Sequence, residues 1–235
     1  MDKNVFERIS VSNNTHWWFK SRRDIFENLL KKINLNKPEI LDYGSGVGAN
    51  LSILKKFSEN VDAYEPNSEI HELIKAKYKV NIINKIEKKY DLIFLTDVIE
   101  HIEDDKGQMK NIVDLLKNNG RLLITVPAYQ FLFSKKDEML HHFRRYNKKT
   151  LQNILPDNIE IEKISFFNCF LFFPIAIAIL FLKFFKIQFI DGVERTPNKL
   201  INYLMYKIFS FEKKFLNFMN FPFGLSIILF VKKTK

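Results

Sequence analysis

Glycine stands at every second position in Asp42-Tyr43-Gly44-Ser45-Gly46-Val47-Gly48, directly after the apolar pair Ile40-Leu41. A strand running into such a turn can bring backbone N–H groups close to a ligand at the start of a helix, because glycine permits both the tight turn and the close approach. The spacing is not G-x-G-x-x-G and no Gly-Lys-Ser/Thr follows, so neither a dinucleotide fingerprint nor a P-loop is present. About 20 residues on, at the end of the next apolar run, Glu65 offers a carboxylate that can accept both hydroxyls of a ribose. Asp97, Glu100 and His101 spell D-x-x-E-H, and on a helix these positions share one face. Two carboxylates and an imidazole could hold a divalent ion, or His101 could take a proton. A fourth group, His142 with Arg144, Arg145 and Tyr146, joins an imidazole suited to general-base work to two guanidiniums able to grip an acidic or phosphorylated acceptor.

Elements that could position these groups are legible in the hydropathy pattern. From Glu39 onward short apolar runs alternate with amphipathic stretches, which predicts β-α-β units on a mostly parallel sheet. Strands are expected over 40–43, 61–65, 80–83, 92–96 and 121–126, with helices between them and two further strands over 159–166 and 225–232. Asn118-Asn119-Gly120 is expected to close the helix before the fifth strand, since both residue types tolerate the left-handed conformation. Ahead of the sheet, 16–32 reads as a helix with Trp18, Ile25, Phe26, Leu29 and Leu30 at its apolar positions, and 33–38 as a linker.

The chain has 235 residues, enough for one α/β domain with an elaboration. Of its 24 Phe, most follow Ser165, so the apolar surplus is local. Residues 164–182 carry no charge, about the length of a bilayer span. Spanning is not expected, because pairing of the last two strands returns the chain to the side it left, and Pro174 weakens a straight helix. Over 200–219 an amphipathic helix is expected, with Leu200, Leu204, Ile208, Phe211, Phe215 and Phe218 on one face and Lys207 and Lys214 turned away. Such a helix suits a membrane interface, the alternative being that the two apolar segments close on each other as a lid. The formal net charge of +10 favours anionic partners. Cys169 is the single cysteine, which excludes an internal disulfide and a cysteine-based zinc cluster. With no apolar h-region in the first eight residues, a cytoplasmic protein is expected, peripheral on the inner face of the membrane.

The glycine turn, Glu65 and the segment Tyr90-Asp91-Leu92-Ile93-Phe94-Leu95-Thr96-Asp97 occur in the order and at the spacing seen in class I S-adenosylmethionine (SAM)-dependent methyltransferases, and the chain resembles that family. The resemblance implies a Rossmann-like, doubly wound sheet of seven strands, with the hydrophobic helical excursion before the last strand. It implies SAM as cofactor, with Asp42 orienting the methionine end and Gly44, Ser45, Gly46, Gly48, Glu65, Thr96 and Asp97 around it. His16-Trp17-Trp18-Phe19 with Arg22 and Arg23 resembles the N-terminal helix of a bacterial subgroup tied to quinone, polyprenol or cell-surface glycan pathways; there it covers the cofactor, and Arg22 would pair with the methionine carboxylate. His142 through Tyr146 resembles that subgroup's His-x-Arg-Arg-Tyr segment, making His142 the preferred base, with His101 and Asp97 as alternatives. The domain then divides into a helical cover over 1–36, a SAM-binding core over 37–166, an insertion over 167–222 and a final strand over 223–235. Quinone-pathway O-methyltransferases carry a comparable E-x-x-E-H metal site; here Asp97 takes the first position, and Glu100 and His101 are the pair an ion would use. The expected reaction is methyl transfer, on oxygen, to a small or lipid-linked acceptor near the membrane. Two rivals are a nucleic-acid methyltransferase, suggested by the basic charge, and a non-catalytic membrane-associated scaffold. No N-P-P-Y-like tetrapeptide or appended RNA-binding module supports the first, and the intact glycines argue against the second.

Overall fold

Seven strands form one sheet: β1 (Ile40–Tyr43), β2 (Val61–Tyr64), β3 (Asn81–Ile83), β4 (Tyr90–Thr96), β5 (Leu116–Pro127), β6 (Ile159–Phe167) and β7 (Ser226–Lys233), in the order β3-β2-β1-β4-β5-β7-β6. The computed structural model describes residues 3–33, 35–187 and 196–234. β1 to β5 are parallel, and β7 runs antiparallel to both β5 and β6. This is the expected doubly wound order, which reverses direction beside β1. The crevice at the carboxyl ends of β1 and β4 is where such sheets hold ligands. Among the described residues ten α-helices accompany the sheet: α1 (Lys3–Ser12), α2 (Trp17–Leu30), α3 (Leu51–Leu54), α4 (His71–Lys77), α5 (Asp105–Asp114), α6 (Lys135–Met139), α7 (Lys148–Asn153), α8 (Phe172–Phe184), α9 (Lys199–Phe211) and α10 (Lys213–Leu216). Leu92, Ile93, Phe94 and Leu95 are consecutive and all buried, as a parallel strand covered on both faces requires.

Two local expectations are corrected. The helix before β5 ends at Asp114, and Asn118-Asn119-Gly120 interrupts β5 instead: Tyr90 pairs with Leu116 while Leu92 pairs with Arg121, so the extra residues loop out of the ladder, with Asn119 at φ 64°. Pro174 does not weaken its helix, because it lies in the first turn of α8, where the missing N–H has no intrahelical acceptor to lose. The charge-free stretch divides between the end of β6 and the start of α8, and among the described residues no helix is long and apolar enough to cross a membrane. The middle of the expected insertion, residues 188–195, lies outside the described residues.

The expected helix over 200–219 is α9 and α10, broken at Glu212. Its anchoring face is not the long apolar stripe. The Asn202 side chain accepts from the Trp17 N–H at 2.8 Å and donates to the Thr15 carbonyl at 2.9 Å, and the Tyr206 hydroxyl donates to Asp24 at 2.8 Å. Phe209, fully buried, packs among Trp17, Trp18 and Phe167. Asn202 thereby satisfies one of the unpaired N-terminal amides of α2, which a purely apolar contact could not do. Leu200, Leu204, Ile208 and Phe211 are left exposed.

Candidate active site

Gly44, Gly46 and Gly48 all adopt positive φ, at 68°, 53° and 75°. A Cβ on Gly44 would lie 2.6 Å from Val98 Cγ2, and one on Gly48 2.8 Å from both Leu51 and Tyr78, so these two glycines are demanded by packing as well as conformation. Gly46 differs, because a Cβ there meets nothing within 4 Å. Its outer side is the open approach to the loop. Glu65, at the end of β2, holds the loop from the other side: one carboxylate oxygen accepts the Gly46 N–H at 2.9 Å and the other the Asn67 N–H at 2.9 Å. Both bonds hold the turn in shape from within the protein.

Asp42 is almost wholly buried at the end of β1, with Asn50 as a side-chain partner. Asn50 also donates to Thr96 Oγ1 at 2.8 Å, tying the β1 turn to the end of β4. Among the described residues, Asp42 Oδ2 and the Ser45 hydroxyl have no hydrogen-bond partner. Burial pushes the Asp42 carboxyl up to about 7, opposed by the Asn50 hydrogen bond and helped by the nearby Glu65 charge. An unpartnered carboxylate oxygen, an unpartnered hydroxyl and the open side of Gly46 on one crevice fit a nucleoside cofactor carrying a cationic group.

From α2, Arg22 reaches the ends of β4 and β5. Its guanidinium pairs with Asp97 and donates to Thr125 Oγ1 at 2.7 Å, and Thr125 in turn donates to the other Asp97 oxygen at 3.0 Å. Trp18 and Phe26 flank the guanidinium. Asp97 sits at φ 55°, outside any helix, and Glu100 and His101 follow in a short 3-10 turn. The expectation that D-x-x-E-H lies along one helical face is corrected: Asp97 precedes the 3-10 turn and both its oxygens are engaged, by Arg22 and Thr125.

Glu100 and His101 meet His142 instead. The two imidazole rings are 4.5 Å apart and nearly perpendicular, and one ligand-capable atom from each of Glu100, His101 and His142 falls within 4.8 Å of the others. Glu100 is fully buried, and among the described residues neither of its carboxylate oxygens has a hydrogen-bond partner. Burial and the neighbouring Asp97 hold its carboxyl well above the usual range. Burial, then the facing His142, lowers His101 to about 4, so it is neutral at physiological pH. Asp137 accepts from His142 Nδ1 at 3.0 Å and receives a two-point contact from Arg145 at 2.7 and 2.8 Å. Arg144 pairs with Asp105 at 2.7 Å and donates to the Ile102 and Glu103 carbonyls, clamping the loop that carries His101. Tyr146 is buried, its hydroxyl on Asp105 at 2.8 Å. The outer sides of Arg144 and Arg145 border a cavity of about 420 Å³, shared with Gln130, Asn147 and Thr150.

The structure thus brings Asp42, the glycines, Glu65 and Thr96 to one end of the crevice, and Glu100, His101 and His142 together beyond it. Residues that sequence reasoning gave no part are Asn50, Thr125 and Asp137. The Ser134-x-x-Asp137 capping box was a readable signal for the last, since its N-cap and third residue bond reciprocally.

A family model described as a methyltransferase domain matches residues 12–168. A ubiquinone biosynthesis O-methyltransferase of Rickettsia typhi is 29% identical over 199 residues, covering 68% of this chain and 79% of that protein. Among solved structures, a SAM-dependent methyltransferase from Clostridium acetobutylicum superposes with a TM-score of 0.59 at 14% identity, covering 92% of each chain. The plantazolicin methyltransferase BpumL, in complex with a monoazolic substrate analogue and S-adenosylhomocysteine (SAH), superposes at 0.58 and 13% identity, covering all of this chain and 91% of that one. At these identities the two structures speak for the fold, and the family match spans most of the chain. With that match over residues 12–168 and a seven-stranded sheet shared with these structures, the chain belongs to the methyltransferase domain family as a SAM-dependent methyltransferase.

Proposed function

We propose that the chain transfers the SAM methyl group to an oxygen of a small or lipid-linked acceptor at a membrane surface. The observation that carries this reading is the Glu100, His101 and His142 cluster beyond the cofactor crevice, where an acceptor hydroxyl can lose its proton as it attacks the methyl carbon. Asp97, locked to Arg22, positions that side of the site. The name shared by the Rickettsia relatives makes a polyprenylated phenol the acceptor class to test first. Incubation with radiolabelled SAM and a panel of polyprenyl catechols, short-chain catechols and tRNA tests it. Label in the phenols supports the reading, and label in tRNA alone contradicts it.

Asp42 gives the cofactor half a pH signature. Free protein holds a proton on Asp42 below about 7, and pairing of its carboxylate with the cofactor's cationic end must expel that proton. SAM affinity should therefore fall by about tenfold from pH 8 to pH 6, and Asp42→Asn should flatten the profile. A wild-type profile flat over that range would contradict this role for Asp42.

The exposed faces of α8 and α9 support the membrane part. Phe173, Ile177, Phe181 and Phe184 line one side of α8, and Phe184 is 81% exposed. Lys183, Lys207 and Lys214 stand beside the exposed aromatic and aliphatic groups of the two helices, a combination that suits an anionic bilayer surface. Burying a Phe contributes about 1.5–3 kcal/mol, so Phe181→Ser with Phe184→Ser should weaken flotation with phosphatidylglycerol vesicles more than tenfold. Equal flotation of wild type and variant would contradict it.

A further inference from the structure

Three lysines converge at the free edge of the sheet. Lys163 lies in β6, the last strand of the order, and its Nζ donates to the Met219 carbonyl at 3.3 Å and to the Asn220 side-chain oxygen at 2.9 Å. Lys148, which opens α7, donates to the Phe221 carbonyl at 3.4 Å and lies over the Phe166 ring. Lys32, just past α2, stands 4.8 Å from the centre of the Phe218 ring. Three elements thus bring their ammonium groups to one four-residue loop, 218–221, between α10 and β7. We propose that Lys32, Lys148 and Lys163 form a binding site for the phosphate of an anionic phospholipid, with Phe218 and Met219 entering the bilayer beside it. This rests on the membrane part of the proposed function and names the lipid group that the protein would select.

Like charges held together are unfavourable unless an anion joins them, and among the described residues none of the three amines pairs with a carboxylate. The cost shows at Lys163, where burial, then the charges of Lys32 and Lys148, lowers the amine below the ordinary lysine range; burial does the same at Lys148. One lysine on an edge strand is a common guard against strand pairing, but that purpose needs neither of the other two. Hydrogen-bonding capacity is also left over. An ammonium group has three donors, of which Lys163 uses two and Lys148 one, while Lys32 meets only the face of a ring, so all three retain donors for phosphate oxygens.

The surroundings favour a lipid phosphate over a free anion or a nucleic acid. Phe218 is 86% exposed, and Met219 and Phe215 are exposed beside it. Phe215 packs against the exposed Phe211, so the loop continues the apolar stripe of α9. Lysines whose stems lie on aromatic rings while their amines stay outside suit a headgroup region, where the rings enter the apolar layer and the amines remain with the phosphates. A polyanion binding in water would gain nothing from a bare phenylalanine at the centre of its site.

The test is flotation with phosphatidylglycerol and with phosphatidylcholine vesicles, comparing wild type with Lys148→Gln plus Lys163→Gln and with a charge-matched control on α5, Lys106→Gln plus Lys110→Gln. Wild type should prefer phosphatidylglycerol; the first pair should lower that preference at least about tenfold, and the control less than about twofold. Should the first pair fail to fold in a thermal melt, Lys32→Gln, at an exposed position, decides alone with an expected loss of about threefold or more. Equal losses in the two pairs would mean diffuse charge and overturn the proposal. So would inorganic phosphate raising the wild-type melting temperature, or tRNA binding that the first pair abolishes, if vesicle preference stayed intact in that pair. Flotation of wild type with both vesicles and no preference removes this site alone, whereas flotation with neither removes the membrane reading and the site with it.

Discussion

Gly46→Arg is expected to lower SAM affinity at least 100-fold while shifting thermal unfolding by only a few degrees. The left-handed backbone at φ 53° costs a non-glycine residue about 1–2 kcal/mol, and no protein atom stands within 4 Å of the added Cβ. In a chain of this size such a cost moves the midpoint by about 2–8 °C. The long side chain then occupies the open side of the loop, where the cofactor must approach, and a 100-fold loss corresponds to about 2.8 kcal/mol. Gly44→Ala is the instructive contrast. Its Cβ would collide with Val98, so stability should fall along with binding. A Gly46→Arg protein that still binds SAM like wild type would place the cofactor elsewhere.

Phe209→Ala is expected to destabilise the fold by about 3–5 kcal/mol, lowering the midpoint by on the order of 10 °C. The ring is fully buried at the junction of α2, α9 and the end of β6, and the contacts of Trp17, Trp18 and Phe167 with it would be replaced by a cavity. Because α2 also carries Arg22 to Asp97 and Thr125, loosening α9 should weaken the closed side of the crevice, and cofactor affinity should drop with stability. Leu204→Ala, on the exposed side of the same helix, should change stability by less than about 0.5 kcal/mol. Equal effects of the two substitutions in a thermal melt would show that α9 is not held by the face described.

The parts of the site legible in the sequence are those built from neighbours along the chain. Gly44, Gly46 and Gly48 announce a left-handed turn because few other residues tolerate one, and Glu65 follows at the spacing of a single β-α-β unit. Arg22 could be tied to the family by its place after Trp17-Trp18, yet nothing near residue 22 specifies that it meets Asp97 and Thr125. That contact depends on where α2 crosses the sheet. The D-x-x-E-H spacing suggested a helical face, but Asp97 sits at φ 55° outside any helix and is engaged by Arg22 and Thr125, while Glu100 and His101 lie in a 3-10 turn. His142 joins them only because the loop beyond β5 folds back, its Phe143 N–H donating to the Glu100 carbonyl at 2.8 Å. In α9 the hydropathy pattern identified a real stripe, but docking follows Asn202, Tyr206 and Phe209, because the buried helix N-terminus at Trp17 needs a hydrogen-bond acceptor more than it needs another leucine.

Calorimetric titration of the purified chain with SAM and SAH, beside Gly46→Arg and Glu65→Ala, tests the central claim most directly. Micromolar binding of both ligands by wild type, abolished in the first variant and weakened in the second, is the predicted result. A folded wild-type protein that binds neither ligand would contradict the assignment of this crevice as a SAM site.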